Sequence, residues 1–133
     1  MRFNQFTLPA TDLPASIAFY SRLGCSPIVV TETYARFEDG AGGSTFSLEK
    51  VDQEVPKMPG HHAMTMYFEV DDVDATVAAL SAQGVVFDEL PEDKSWLWRE
   101  SRLRDPAGNR VCLYYAGNQR RFPPWRVDGR TAP

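Results

Sequence analysis

The chain has 133 residues, two cysteines and a net charge of −4. That length suits one domain, and 43% apolar against 24% charged residues supplies a core and excludes disorder. The expectation is a cytoplasmic protein with reduced thiols. No apolar run approaches the roughly 18 residues a membrane span needs, MRFNQFTLPATD lacks a signal core, and neither Cys25 nor Cys112 belongs to a CxxC pair.

Charge is unevenly spread. Residues 1–92 carry 5 basic and 14 acidic side chains, and residues 93–133 carry 9 and 4. No basic face marks the whole as a nucleic-acid binder. The split serves solvation, self-association, or arginines placed near an anionic ligand.

The elements repeat along the chain. An alternating stretch, 3–9, precedes a helical segment that opens at Asp12 and closes at Gly24. Sixty residues later the pattern returns: 63–70 alternates, and a second segment runs from Asp72 to Gly84. The two segments align without a gap and share Asp12/Asp72, Ala15/Ala75, Ala18/Ala78, Ser21/Ser81 and Gly24/Gly84. Asp suits an N-cap, Pro14 the first turn, and Gly the left-handed position after the last turn. Leu13, Ile17 and Tyr20 form one apolar face, and Val73, Val77 and Leu80 the other.

Three β-like runs follow each helix: 27–33, 33–38 and 44–50, then 85–89, 96–104 and 110–115. Turn-forming stretches at 39–43 and 105–109 punctuate them. The fold class is therefore α+β, with a βαβββ unit used twice. The first module spans 1–50, a proline-containing linker 51–60, the second module 61–116 and an extended tail 117–133. Paired prolines at 123 and 124 argue against helix in the tail, leaving Phe122 and Trp125 to anchor on the domain or a partner.

Alternation gives the sheets two unlike faces. Phe6, Leu8, Phe46, Leu48, Met64, Met66, Phe68, Val70, Val111, Leu113 and Tyr115 form an apolar side for the helices. The opposite side carries Gln5, Thr7, Thr45, Ser47, Glu49, Thr65, Tyr67, Arg110, Cys112 and Tyr114, the mixture of hydroxyls, amide, aromatics and thiol that a small-molecule cavity presents. If Leu103 faces the helices, Trp96, Trp98, Glu100 and Arg102 join that cavity, where two indoles and an ion pair suit a flat or anionic ligand. The ligand-binding candidates are Gln5, Thr7, Ser47, Thr65, Tyr67, Trp96, Trp98, Arg102, Cys112 and Tyr114. Glu49 and Glu100 are candidate general bases if burial raises their pKa. His61 and His62 read as a solvent-facing strand entrance, because neighbours on a strand point to opposite faces. Cys112 reads as a wall thiol, with no histidine placed beside it as a base.

The doubled unit, with Asp-Leu-Pro-Ala-Ser-Ile-Ala-Phe-Tyr at 12–20, Val-Asp-Asp-Val-Asp-Ala at 70–75 and Asp-Pro-Ala-Gly-Asn-Arg at 105–110, resembles the vicinal oxygen chelate superfamily. Glyoxalase I, the fosfomycin- and bleomycin-resistance proteins and the extradiol dioxygenases belong to it. The resemblance covers about residues 3–116. It implies paired modules whose mixed sheet curls into an open cup with the helices outside, and in many members a homodimer. In metal-dependent members, His, Gln and Glu near the middles of the first and last strands of each module hold a divalent ion. Those positions fall here on Gln5, Ser47 (Phe46 if the Gly-rich turn has no extra residue), Thr65 and Cys112. Gln5 is acceptable, Ser47 and Thr65 are poor neutral ligands, and Cys112 is soft where a hard carboxylate is expected. The expectation is a small-molecule binder with no metal and no other cofactor, dimeric, and without nucleic-acid or membrane partners. The alternatives are a lyase, isomerase or dioxygenase with an atypical metal site or a Glu base, and a dimerisation module with a filled cavity.

Overall fold

A computed structural model describes residues 4–40, 43–52 and 64–133. His61, His62 and most of the expected linker lie outside the described residues. The elements run β1 (Thr7–Ala10), α1 (Leu13–Arg22), β2 (Ser26–Val30), β3 (Tyr34–Glu38), β4 (Thr45–Lys50), β5 (Thr65–Glu69), α2 (Val73–Ala82), β6 (Phe87–Asp93), β7 (Arg99–Arg104) and β8 (Arg110–Tyr115). The βαβββ order occurs twice, and the chain is α+β. One sheet has the order β1-β4-β3-β2 and the other β5-β8-β7-β6. In the first, β1 runs parallel to β4, and the remaining pairs are antiparallel. Neither sheet closes on itself.

The helix ends form as their sequences dictate. Asp12 accepts from the Ala15 amide at 3.0 Å and Asp72 from the Ala75 amide at 2.9 Å. Gly24 and Gly84 take φ of 91° and 87° after the last turns, where a Cβ would be strained. Leu13, Ser16 and Tyr20 are the buried residues of α1, and Val73, Val77 and Leu80 those of α2.

The chain divides into two compact units. The first is 1–65 together with 104–110, and the second is 66–103 together with 111–133. The core of the first contains Leu8, Leu13, Tyr20, Phe37, Phe46 and Leu48. Phe37 and Phe46 stack at 5.0 Å with the Tyr20 ring edge-on to Phe46. Asp105, from the turn between β7 and β8, closes this core. It accepts from the Tyr20 hydroxyl at 2.7 Å, from the Ala107 and Asn109 amides at 3.0 and 2.8 Å, and from Asn109 Nδ2 at 2.7 Å. Asn109 Nδ2 also reaches the Pro9 carbonyl at 2.9 Å. The core of the second unit contains Met66, Val73, Val77, Leu80, Leu103, Val111 and Leu113.

Several expectations need correction. The strand expected at 96–104 begins only at Arg99, because 94–98 form the hairpin turn. There the Lys94 amide bonds the Trp98 carbonyl at 2.8 Å, and Leu97 adopts a φ of 69°. Trp96 thus sits in a turn rather than on a strand. Met64 and Tyr115, assigned to the helix-facing side, are exposed, since they stand at strand ends where solvent reaches. The tail starts as a 3-10 turn at Gly117–Arg120, ahead of the prolines that forbid helix only from 123 onward. Of the two anchors expected for Trp125, the domain is not used, since its ring is exposed.

Candidate functional site

In the first unit, the face turned away from the α1-side core is built by register. Strand pairing sets Thr7, Ser47 and Arg36 in one row across β1, β4 and β3. Ser47 is fully buried; its hydroxyl meets that of Thr7 at 2.7 Å and accepts from Gln5 Nε2 at 3.2 Å. Thr45 donates to Gln5 Oε1. Arg36 Nε donates to the Tyr34 hydroxyl at 2.9 Å. Hydrogen bonds from Ser47, and then from Arg36, hold the Tyr34 phenol below its ordinary pKa. Gln5, Thr7 and Ser47 are therefore brought together. Among the described residues, no side-chain hydrogen bond joins Thr65 to them. Glu49 is exposed. Tyr34 and Arg36 come to this site through the pairing of β3 with β4.

In the second unit, Trp98 and Tyr114 stack at 4.6 Å, and Tyr67 packs edge-on to both. Cys112 and Tyr114 are buried in this cluster with Ala116. Beside it lies a charged group. Glu100 is 1% exposed; its carboxylate accepts from Trp96 Nε1 at 2.6 Å and from Arg102 Nη2 at 2.8 Å. These two bonds satisfy a charge that burial would otherwise make costly. Tyr67 and Trp96 keep 45% and 42% of their surface open. Burial, then the neighbouring Glu100, pushes the Cys112 thiol up to about 12. At neutral pH it is a protonated, enclosed thiol, not a nucleophile.

The four positions that the resemblance assigns to a divalent ion do not fit one. Ser47 and Thr65 offer neutral hydroxyls, and the Ser47 oxygen already serves Thr7 and Gln5. Gln5 is engaged at both ends of its amide by Ser47 and Thr45. Cys112 would have to ionise against a strongly raised pKa before it could ligate.

The model of the Glyoxalase/Bleomycin resistance protein/Dioxygenase superfamily matches residues 2–113. The chain belongs to this superfamily. Its relatives include the trivalent organoarsenical cleaving enzyme of Bacillus sp. (strain MD1), 29% identical over 86% of this chain and 73% of that one. The protein YraH of Bacillus subtilis (strain 168) is 30% identical over 86% of this chain and 98% of its own length. Among solved structures, a bleomycin-binding protein complexed with bleomycin superposes with a TM-score of 0.66 at 18% identity, covering 86% of this chain and 98% of that one. At that identity, the structural likeness concerns the fold alone. No described helix of this superfamily member is long and apolar enough to cross a membrane.

Proposed function

We propose that this superfamily member binds a small organic ligand with a flat or aromatic part on the open face of the second sheet, and that it does so without a resident metal. The observation that carries this reading is the aromatic group Tyr67–Trp98–Tyr114 beside the Trp96–Glu100–Arg102 network. Stacked rings hold one another rigid, so a ligand ring meets a pre-organised surface at Tyr67 and Trp96. Arg102 adds a partly exposed cation at its edge. The bleomycin-binding relative shows that the fold serves ligand capture elsewhere. A thermal-shift screen of aromatic acids and amides should find a stabilising ligand, because binding only the native state raises its apparent stability. Trp96→Ala and Tyr67→Ala are expected to weaken that ligand about tenfold, as a lost ring contact removes roughly 1 kcal/mol or more. Unchanged affinity in both variants places the site elsewhere. Protein purified without added ions should carry no stoichiometric divalent metal by elemental analysis, and one equivalent per chain overturns the metal-free reading.

The organoarsenical cleaving relative favours a second reading, an enzyme of the lyase or dioxygenase kind. Of the two candidate bases, Glu100 is committed to Trp96 and Arg102, whereas Glu49 is exposed. Turnover of an organoarsenical that requires added metal would establish this reading over the first.

We also propose a cytoplasmic homodimer. β2 is an edge strand whose Ile28, Val29 and Val30 are all exposed, Val30 by 58%. An apolar edge left in water invites pairing with a second copy. Val30→Lys is expected to shift the protein from dimer to monomer in light scattering. A wild-type monomer at micromolar concentration would refute the dimer.

A further inference from the structure

The first sheet carries a cation with a use not yet assigned. Arg36 stands on β3 opposite Ser47, half-buried, with its guanidinium 5.6 Å from the Tyr34 ring centroid. Its Nε is held by the Tyr34 hydroxyl. Among the described residues, neither Nη atom has a hydrogen-bond partner, and Arg36 forms no ion pair. Glu38 lies two residues along the same face, and Glu49 pairs with Tyr34 across the strands, yet neither carboxylate closes on the guanidinium. With Nε held and both Nη atoms unpartnered among the described residues, the end of the guanidinium fork is left to accept a ligand. That geometry matches the two oxygens of a carboxylate. The row of Thr7, Ser47 and Arg36 places hydroxyls on the same face, and Tyr34 accepts from Arg36, so its own proton can be donated. Glu38 and Glu49 repel a second negative charge, which selects against multiply charged groups.

We propose that this face of the first sheet binds the carboxylate of a small organic monoanion, with Arg36 as its anchor and the Tyr34 hydroxyl as a second donor. The assignment uses the first sheet alone, so it stands or falls apart from the aromatic surface of the second.

The test is an NMR titration of the full chain, following Arg36 Nε–H and the Ser47 amide, with propionate, propionamide and inorganic phosphate as probes. Propionate should give saturable shifts at both positions, propionamide none, and phosphate weaker ones. Arg36→Gln should weaken propionate at least tenfold. Arg36→Lys, which keeps the charge, should recover part of that loss and report directly if Arg36→Gln folds poorly. Tyr34→Phe should weaken propionate a few-fold. It should also remove the phenol that ionises ahead of the ordinary value near 10 in an ultraviolet alkaline titration. Equal shifts from propionamide, tighter binding of phosphate, or wild-type affinity in Arg36→Gln would each overturn the assignment. So would an absence of saturation by propionate.

Discussion

Asp105→Ala should lower the unfolding free energy by about 4 kcal/mol, read as a drop in urea midpoint at constant slope. The carboxylate is buried and takes four hydrogen bonds, from the Tyr20 hydroxyl, two turn amides and Asn109 Nδ2. Removing it strands those donors, and each buried unpaired group costs roughly 1–3 kcal/mol, less than additively within one network. Asp105→Asn keeps an acceptor oxygen and should lose about half as much. Tyr20→Phe removes one bond and should cost about 1–2 kcal/mol. It should also change the alkaline limb. Burial, and then Asp105, raise the Tyr20 phenol far above its usual value. The folded state therefore holds that proton while the unfolded chain releases it, and stability falls as pH rises above about 10. The same sign applies to the Cys25 thiol, raised to about 11 by burial and then by Asp39. Tyr20→Phe should flatten the fall without abolishing it. A wild-type midpoint in Asp105→Ala would show that the turn does not anchor the first unit.

Arg102→Met should cost about 3 kcal/mol in the same experiment. Its partner Glu100 is 1% exposed, and removing one member of a buried pair leaves an uncompensated charge, typically worth roughly 3–5 kcal/mol. The lower end applies because the Trp96 indole still donates to Glu100 and because Arg102 is itself partly exposed. The double variant Glu100→Gln/Arg102→Met removes the charge along with its partner and should recover more than half of the loss. Equal midpoints for wild type and Arg102→Met would mean that Arg102 does not compensate Glu100 in the native protein.

The helices and modules were legible because their signals are local. Asp12, Gly24, Asp72 and Gly84 mark helix ends through bonds and backbone angles fixed within a few residues. β8 at Arg110–Tyr115 matches its expected bounds, since the turn at 105–109 fixes its start and its apolar run stays buried from Val111 to Tyr114. β6 was harder. It runs Phe87–Asp93 instead of 85–89, through four acidic residues and Pro91, a composition that argues against strand in a sheet interior. As an edge strand it tolerates both. The site was legible by face but not by depth. Ser47 and Cys112 are both fully buried, a depth that alternation along a strand does not reveal. Arg36 escaped notice for a different reason. Its place opposite Ser47 comes from the pairing of β3 with β4, and no residue near position 36 announces that register.

Segment 104–110 is contributed by the later repeat but folds with the earlier one. The two repeats are therefore not separable parcels of chain. A gene fragment encoding only the earlier repeat would lack the Asp105 carboxylate that its own Tyr20 requires, and one encoding only the later repeat would carry a turn with nothing to grip. Seven residues of the later repeat thus complete a core that the earlier repeat cannot close by itself.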